Sequence, residues 1–433
     1  MSDQARKDSL VDGARRVLDL CRRQARRPFI VELAGTPKAG KTTVLGMMRD
    51  FLKDQGFHVS VMRERAADCP IPMKGHFFFN AWTTATMLAQ VLGQLDTDCD
   101  VLLLDRGFFD ALVWLELQDR RGQLTPDEKK IFEQFVLLDR WRRLTDLTLV
   151  LVVDPSVSMQ RENSGRILPR KGSIMKPDNL TTYNDVLDGV TQRHSGSFDL
   201  VRVDSKETGP IESALALLEK ILPRLETWAD PEVLALPRDF VASKFDGKRE
   251  LDAAECMSLF AEAQPHIVRR RRSVLDQQLD HVQLIASAAF RHQGDYLMIE
   301  RSSKDVKSSR FGSRTLWHRC RVQAREGGAL LLDEASEQLS DRIRDDFYLS
   351  KLREPALRGA VWSRKPDEDK YLGLMFLVEI SDPETAKSLS EKEFRRGERI
   401  PQLTTRFYTP EAIAGLDKPE TWSSSTVLRL LDD

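Results

Sequence analysis

One short loop, placed between an apolar run and an amphipathic segment, constrains this chain more than any other stretch. Residues Gly35 to Thr42 read Gly-Thr-Pro-Lys-Ala-Gly-Lys-Thr and fit the pattern G-x-x-x-x-G-K-[ST] at every fixed position. The apolar run from Phe29 to Ala34 predicts a buried strand, and the apolar spacing from Thr43 to Gly56 predicts a helix. Strand, loop and helix in this order predict a backbone cradle for a polyphosphate, at the positive end of the helix dipole.

The side chains of this loop predict a site for ATP and Mg²⁺. Lys41 is expected to reach the β- and γ-phosphates, and the Thr42 hydroxyl is expected to ligate Mg²⁺. The other nucleotide-binding residues predicted from the same loop are Gly35, Lys38, Ala39, Gly40 and Thr43.

Beyond the loop, apolar strands alternate with helical segments as far as residue 225. Continuous apolar runs of this kind predict an α/β fold, in which a parallel sheet is covered by helices on both faces. Glu64, Asp105 and Asp154 each come just past the end of a predicted strand, as Gly35 does. Ligands gather at the carboxyl ends of the strands in such sheets, so one crevice is expected to collect these residues.

Asp105 ends the apolar run that begins at Val101, which is the form of a Walker B element. Its carboxylate is expected to hold Mg²⁺ directly or through water. Arg106 follows it and would direct its guanidinium donors at a phosphate. Phe79 and Trp82, at the start of a predicted helix, offer aromatic faces either for stacking a base or for packing in the core.

The order and spacing of these motifs over the first half of the chain resemble thymidylate kinases and their deoxynucleoside kinase relatives. The matching parts after the phosphate loop are Arg63-Glu64, Asp105-Arg106 and an arginine-bearing segment that follows the fourth strand. The resemblance implies transfer of a phosphoryl group from ATP to a nucleoside or a nucleoside monophosphate. It places Arg63 and Glu64 in the acceptor site, and it places Arg161 in a lid that closes over the transferred group.

Two departures from that family concern the acceptor side. Arg65 stands where thymidylate kinases usually carry proline, and Gly107 stands where they carry a hydroxyl or aromatic residue. A hydroxyl acceptor would require Glu64 as a general base. A monophosphate acceptor would instead be held by Arg65 and Arg106, so the acceptor stays open. Two further residues of the arginine-bearing segment are weaker lid candidates, namely Arg166 and Arg170.

Two other functions fit the same loop. The chain is either a regulatory switch that binds or hydrolyses ATP, or a polynucleotide 5′-kinase anchored by the run Arg269 to Arg272. A solvated helix start or a linker explains that run without nucleic acid. The net charge of −1, with 31% charged residues, gives no overall basic excess that would favour nucleic acid as the main partner.

Residues 281–433 weakly resemble a Nudix domain. Gly328, Glu334 and Arg342 match the Nudix box, and the segment from Glu420 to Ser423 matches a late element of the domain. The metal-binding acids do not match, because those positions read Ile343, Asp346 and Phe347. Hydrolysis in that family needs several carboxylates on one helix face to hold Mg²⁺. The resemblance therefore implies an α+β module that is catalytically weak or inert and that binds a ligand, senses a nucleotide or forms a dimer.

The length of 433 residues predicts two or three domains. We expect a kinase-like domain at 1–228, a helical linker at 229–280 and the smaller Nudix-like domain at 281–433. Five cysteines are scattered singly, and no apolar stretch is long enough to span a membrane. The sequence therefore predicts a cytoplasmic protein without a membrane partner, and it leaves open whether the chain forms a homodimer.

Overall fold

The computed structural model divides into two compact units, Met1–Ala229 and Asp230–Asp433, and each is described by itself. The residues described are 3–24, 27–95, 97–164, 174–205, 209–301, 314–325, 331–347, 349, 352–365, 368–390, 393–394, 403–415 and 429–431. Within these ranges, no helix combines the length and the apolar character needed to cross a bilayer.

The first unit is built on a five-stranded parallel sheet with helices on both faces. Its strands are β1 (Phe29–Gly35), β2 (Val59–Met62), β3 (Val101–Asp105), β4 (Leu147–Val152) and β5 (Leu200–Asp204). Its helices are α1 (Asp3–Gln24), α2 (Lys41–Asp54), α3 (Phe77–Gln94), α4 (Phe108–Arg120), α5 (Pro126–Val136), α6 (Asp139–Arg142), α7 (Pro155–Ser164), α8 (Pro177–Arg193) and α9 (Pro210–Ala229).

The strand order β2-β3-β1-β4-β5 puts β1 in the centre, hydrogen-bonded to β3 and to β4. The carboxyl ends of these strands therefore meet at one edge of the sheet, where the loops after β1 and β3 become neighbours. The predicted fold class, an α/β domain with a parallel sheet followed by a smaller α+β domain, is confirmed.

Side chains of β1 alternate between two apolar layers. Phe29, Val31 and Leu33 pack with α1, α2 and α9, whereas Ile30 and Ala34 pack with α3, α4, α5 and α8. All these side chains are buried, and full burial of a large apolar side chain contributes roughly 1.5–3 kcal/mol. The same alternation places the one charged residue of the strand, Glu32, on the side of α4.

The second unit contains a mixed sheet. Its strands are β6 (Glu232–Pro237), β7 (Glu250–Asp252), β8 (Val268–Arg271), β9 (His281–His292), β10 (Asp295–Arg301), β11 (Arg314–Thr315), β12 (His318–Arg321), β13 (Ala356–Trp362), β14 (Tyr371–Glu379), β15 (Glu393–Phe394) and β16 (Leu403–Tyr408). Its helices are α10 (Arg238–Phe245), α11 (Ala253–Ala263), α12 (Arg272–Leu275), α13 (Leu331–Phe347), α14 (Pro383–Leu389) and α15 (Pro410–Ala414), with a 3-10 turn at Gln264–His266.

Residues 229–280 are not the helical linker that the sequence predicts. Strand β6 pairs with β9 and with β8, and β7 pairs with β13, so this stretch belongs to the sheet of the second unit. The apolar run between Pro231 and Pro237 is buried as a strand. The four-arginine run is divided between β8 and the start of α12, because its backbone completes the edge of that sheet.

The segment between β3 and β4 contains a break between two of its helices. Helix α5 ends at Val136, and Leu138 has an extended backbone before α6 begins. The indole N–H of Trp141 donates to the carbonyl oxygen of Phe135 at 2.8 Å, which satisfies one of the last carbonyl groups of α5.

Candidate active site

The phosphate loop leaves β1 through a glycine that no other residue can replace without strain. Gly35 has a φ of 124°, and a Cβ there would lie 2.0 Å from the carbonyl oxygen of Leu151 on β4. Lys38 and Gly40 also have positive φ, at 65° and 93°. These left-handed residues curl the backbone into a tight loop that ends at the first turn of α2.

Lys41 is buried at the start of α2, and the loop itself surrounds its ammonium group. Its Nζ donates to the carbonyl oxygens of Gly35 and Thr36 at 2.8 and 2.9 Å. Burial, and then the nearby positive charge of Arg106, lower the pKa of Lys41 to about 7. Phosphate oxygens carry full negative charge and would therefore be stronger partners for this ammonium than the two carbonyl groups.

Thr42 and Asp105 bring two oxygen ligands together beside the loop. The Thr42 hydroxyl donates to Oδ2 of Asp105 at 2.6 Å, because β3 lies next to β1 in the sheet. A Cβ built on Gly40 would meet no atom within 4 Å, so the start of α2 faces open space. Hydroxyl and carboxylate oxygens are the ligands that Mg²⁺ prefers.

These residues fit a magnesium nucleotide. Within the described ranges, no group of three or more His, Cys, Asp or Glu side chains could hold a metal ion by itself. Mg²⁺ is usually bound through one or two protein ligands together with substrate phosphates, which is the donor set that Thr42 and Asp105 would supply. Thr43, the next residue of α2, is exposed beside them.

Arg106 connects the acids on the other side of the cleft. Its Nε lies 3.1 Å from Oε1 of Glu64, and its NH1 donates to both carboxylate oxygens of Asp110 at 2.9 Å. Burial alone would raise the pKa of Glu64, but the charge and hydrogen bond of Arg106 outweigh it, and that pKa lies below its usual range. Glu64 is therefore ionised at neutral pH.

A cleft with about 1050 Å³ of open space, including its mouth, joins the phosphate loop to these acids. Its wall contains Pro37 of the loop together with Glu64, Asp105 and Arg106. The other predicted acceptor residues that line the same cleft are Arg63, Arg65 and Phe79. The structure thus brings Asp105, Arg106 and four predicted acceptor residues to one cavity of the first unit, beside Pro37 of the phosphate loop, whereas Lys41 and Thr42 are not among the residues that line it.

Trp82 does not line this cleft, although the sequence pairs it with Phe79. The cleft-facing residues of α3 include Phe79, Thr83, Met87 and Gln90, which form one stripe along the helix. At about 100° per residue, Trp82 lies on a different side of the helix from the middle of that stripe. The position of Trp82 around the axis of α3 therefore places it outside the site.

Arg161 lies against the phosphate loop and not in the cleft. Its guanidinium donates to the carbonyl oxygens of Ser205 and Lys38 at 2.8 and 3.3 Å, from helix α7. Lys38 also pairs with Glu162 of the same helix, at 2.8 Å. Asp154 precedes α7 as an exposed residue and is not among the described residues that line the cleft. The candidates Arg166, Arg170, Gly328 and Glu420–Ser423 lie outside the described residues.

The sequence did not predict a role for Glu32, whose carboxylate binds backbone N–H groups just after β3. One of its carboxylate oxygens accepts from the backbone N–H groups of Gly107 and Asp110 at 2.9 and 2.8 Å, and the other accepts from Phe109 at 3.1 Å. Burial raises the pKa of Glu32 to about 7. Glu32 is the one charged residue within the apolar run of β1, and that signal could have identified it.

Tyr183 and Asn184 of α8 were missed as well. The Tyr183 hydroxyl lies 3.2 Å from the carbonyl oxygen of Gly35 and 3.4 Å from Oδ1 of Asp110. Asn184 accepts a hydrogen bond from the Thr36 hydroxyl at 2.8 Å. Both residues follow the arginine-bearing segment, and their contacts depend on how α8 crosses the end of the sheet.

In the second unit, the positions that correspond to the Nudix metal acids are occupied by packing and pairing. Ile343 and Phe347 belong to the apolar core beside the sheet. The carboxylate of Asp346 is buried, 3.1 Å from Nε2 of His318 and 2.9 Å from Nε of Arg342. Helix α13 therefore directs these three side chains toward the interior of its unit.

No protein-family model matches the sequence, and no curated protein matches it. Among solved structures, the chain is similar to a deoxyadenosine kinase from M. mycoides with bound dCMP and dCDP, with 15% identity and a TM-score of 0.35 over 45% of this chain and 98% of that one. It is similar to the same kinase with bound dATP at 14% identity, with a TM-score of 0.34 over 45% of this chain and 99% of that one. It is also similar to Tm1382, a candidate Nudix hydrolase, at 14% identity, with a TM-score of 0.33 over 46% of this chain and 99% of that one.

Proposed function

We propose that the first unit transfers the γ-phosphoryl group of ATP to a hydroxyl group of a nucleoside. The observation that supports this most directly is that Glu64, held ionised by Arg106, lines the same cleft as Pro37 of the phosphate loop and Asp105. An ionised carboxylate at this place is a general base for a hydroxyl nucleophile.

The donor side follows from the loop. Lys41 would exchange its two carbonyl partners for the β- and γ-phosphates. Thr42 and Asp105 would hold Mg²⁺ through their hydroxyl and carboxylate oxygens. When bound, Mg²⁺ supplies charge neutralisation at the phosphates. We therefore propose ATP and Mg²⁺ as the cofactors, because the phosphate loop and the oxygen ligands Thr42 and Asp105 fit a magnesium nucleotide.

The charges on the acceptor side favour a hydroxyl over a monophosphate. Arg106 is already engaged by two carboxylates, Glu64 and Asp110, so a phosphate dianion would meet two anions beside this buried cation. The other cations that line the cleft, Arg63, Arg65 and Lys74, are exposed or half-buried, so solvent weakens their attraction for a phosphate. A neutral sugar hydroxyl meets no such repulsion and finds an acceptor in the Glu64 carboxylate. We therefore assign nucleosides, and not monophosphates, as the acceptor class.

In this reaction, Glu64 takes the proton of the acceptor hydroxyl while the oxygen attacks the γ-phosphorus. The bond between the γ-phosphorus and the bridging oxygen breaks, and ADP leaves with that electron pair. Arg106 keeps Glu64 ionised and oriented. Alignment of the two substrates and the exclusion of water supply most of the acceleration expected for phosphoryl transfer.

The test is transfer of radiolabelled phosphate from γ-labelled ATP to a panel of eight nucleosides, the common ribonucleosides and deoxyribonucleosides, with the matching monophosphates in parallel. We expect a labelled product from nucleosides. Glu64→Gln should lower kcat by roughly 10²–10⁴-fold with little change in KM for ATP. Glu226→Gln, the same change on a half-buried residue of α9 that pairs with Arg16, is the control and should keep full activity.

Three outcomes would reject this assignment. Label appearing only in diphosphate products, formed from the monophosphates of the panel, would replace nucleosides by nucleoside monophosphates as the acceptor class. ADP formed at the same rate without any acceptor would indicate a regulatory ATPase. Labelled oligonucleotides, with transfer that falls steeply as salt rises, would indicate a polynucleotide kinase.

A further inference from the structure

A line of hydrogen bonds crosses from the phosphate loop to the acceptor acid, and Tyr183 is its middle member. On the donor side, the carbonyl oxygen of Gly35 accepts from Lys41 at 2.8 Å and lies 3.2 Å from the Tyr183 hydroxyl. On the acceptor side, the same hydroxyl lies 3.4 Å from Asp110, which binds Arg106. The complete line runs through Lys41, Gly35, Tyr183, Asp110, Arg106 and Glu64.

The Tyr183 hydroxyl carries one proton and has two acceptors within reach. With Lys41 bound to Gly35, the carbonyl oxygen already has a charged donor, and the tyrosine proton is free to serve Asp110. When ATP draws the Lys41 ammonium to its phosphates, the carbonyl oxygen of Gly35 loses that donor in a buried position. A buried carbonyl without a donor is destabilising because its lost hydration is not compensated, so the Tyr183 hydroxyl donates to it instead.

We propose that Tyr183 is a positioning residue that couples occupancy of the nucleotide loop to the geometry of the acceptor acid. When the tyrosine proton moves to Gly35, Asp110 loses a neutral donor and depends more strongly on Arg106. The guanidinium then bonds Asp110 more strongly and holds Glu64 less tightly, so that the Glu64 carboxylate, still ionised beside Arg106, accepts the proton of the incoming hydroxyl more readily. Nucleotide and acceptor therefore bind with positive coupling. This inference rests on the proposed function of the same cleft.

The position of Tyr183 supports this role over a purely structural one. Its side chain is fully buried, and its ring packs against Trp114 with a centroid distance of 5.4 Å. Trp114 itself lines the cleft. A phenylalanine would keep this packing and would remove only the hydroxyl, so the substitution Tyr183→Phe isolates the bridge.

The experiment uses the full chain, Mg²⁺ with the non-hydrolysable analogue AMP-PNP, and the nucleoside phosphorylated fastest in the panel above. The dissociation constant of AMP-PNP is measured with and without saturating nucleoside. We expect the nucleoside to tighten binding at least fivefold in the unmodified protein, within the range typical of coupled sites. In Tyr183→Phe that factor should fall to within about twofold of one, and kcat should fall by roughly tenfold to a hundredfold. Binding of AMP-PNP alone should change little.

Thr191→Val is the matched control, because it removes a hydroxyl from the same helix where that group donates only to the carbonyl of Leu187. It should keep both the coupling factor and kcat. If Tyr183→Phe does not fold, Asp110→Asn at the other end of the bridge should show the same loss of coupling.

Two results would overturn the inference. The first is a Tyr183→Phe or Asp110→Asn variant with the coupling factor and kcat of the control. The second is an unmodified protein that phosphorylates the nucleoside without any coupling between the two ligands. If the unmodified protein phosphorylates no nucleoside at all, the proposed function fails, and that outcome is visible before any variant is made.

Discussion

The carboxylate of Glu32 occupies the space that a side chain at Gly107 would need. A Cβ built on Gly107 would lie 2.6 Å from Cδ and from Oε2 of Glu32. The φ of Gly107 is negative, so it is this lack of space that requires glycine. The buried Glu32 carboxylate therefore accounts for the glycine that follows Asp105-Arg106 in this chain.

Gly107→Ala should therefore destabilise the protein by about 1–3 kcal/mol, because the added methyl group displaces a buried, hydrogen-bonded carboxylate. It should also lower phosphoryl transfer, since Arg106 and Asp110 flank the displaced backbone. Urea denaturation and the nucleoside assay measure the two effects. Gly93→Ala in α3 is the control, because its Cβ would meet no atom within 4 Å, and it should leave stability unchanged or raise it slightly. Equal stability of the two variants would contradict the packing described for Glu32.

Binding of a magnesium nucleotide should take up a proton in alkaline solution. The pKa of Lys41 is lowered to about 7 in the free protein, so its amine is largely neutral at pH 8.5 and charged at pH 6.5. Phosphate oxygens favour the charged form, and binding at pH 8.5 should therefore take up close to one proton, with little uptake at pH 6.5. Isothermal titration calorimetry of AMP-PNP in buffers of different ionisation enthalpy measures this number. Uptake that is the same at both pH values would show that Lys41 does not titrate in this range.

Asp105→Asn should raise the Mg²⁺ concentration needed for half-maximal transfer, on the order of tenfold or more, because an amide oxygen carries no charge to hold the metal near Thr42. Transfer rates measured over a series of Mg²⁺ concentrations test this. Asp154→Asn offers a matched control, since it follows β4 as an exposed acid outside the cleft lining. If both variants need the same Mg²⁺ concentration for half-maximal transfer, Asp105 is not a ligand of the metal.

Asp346→Asn in the second unit should lower the stability of the protein without lowering phosphoryl transfer by the first unit. The buried carboxylate is shared by His318 and Arg342, and removal of one partner from a buried pair costs about 3–5 kcal/mol. Urea denaturation should show that loss, while nucleoside phosphorylation by the folded protein should be unchanged. Asp341→Asn on the same helix alters ion pairs with the exposed Arg325 and Arg344, and it should cost less than about 1 kcal/mol. A loss of transfer in folded Asp346→Asn would give this residue a role in catalysis that we do not assign to it.

The donor side of the site could be predicted because its residues are close in sequence and the spacing of the loop is itself the signal. Gly35, Lys41 and Thr42 lie where a strand, a loop and a helix must put them. Asp105 could be predicted because strands of a parallel sheet end at one edge. These expectations need only local pattern and the rules of strand connection.

The rest of the site depends on packing between distant segments. Tyr183 reaches Gly35 across 148 positions of sequence, and no local pattern encodes where α8 crosses the sheet. The exclusion of Trp82 depends on the rotation of α3 about its axis. Strand β8 was missed because its edge position leaves arginines exposed, which in sequence resembles a polar linker.

The partners of Lys41 have one further consequence. Since the loop supplies two carbonyl groups to its own lysine, any anion that binds there must first displace them. A triphosphate would offset this rearrangement at several points, because it could contact the lysine, the threonine and the start of the helix at once, whereas orthophosphate would offset it at one. We therefore expect the proposed nucleotide to bind this loop more tightly than inorganic phosphate does.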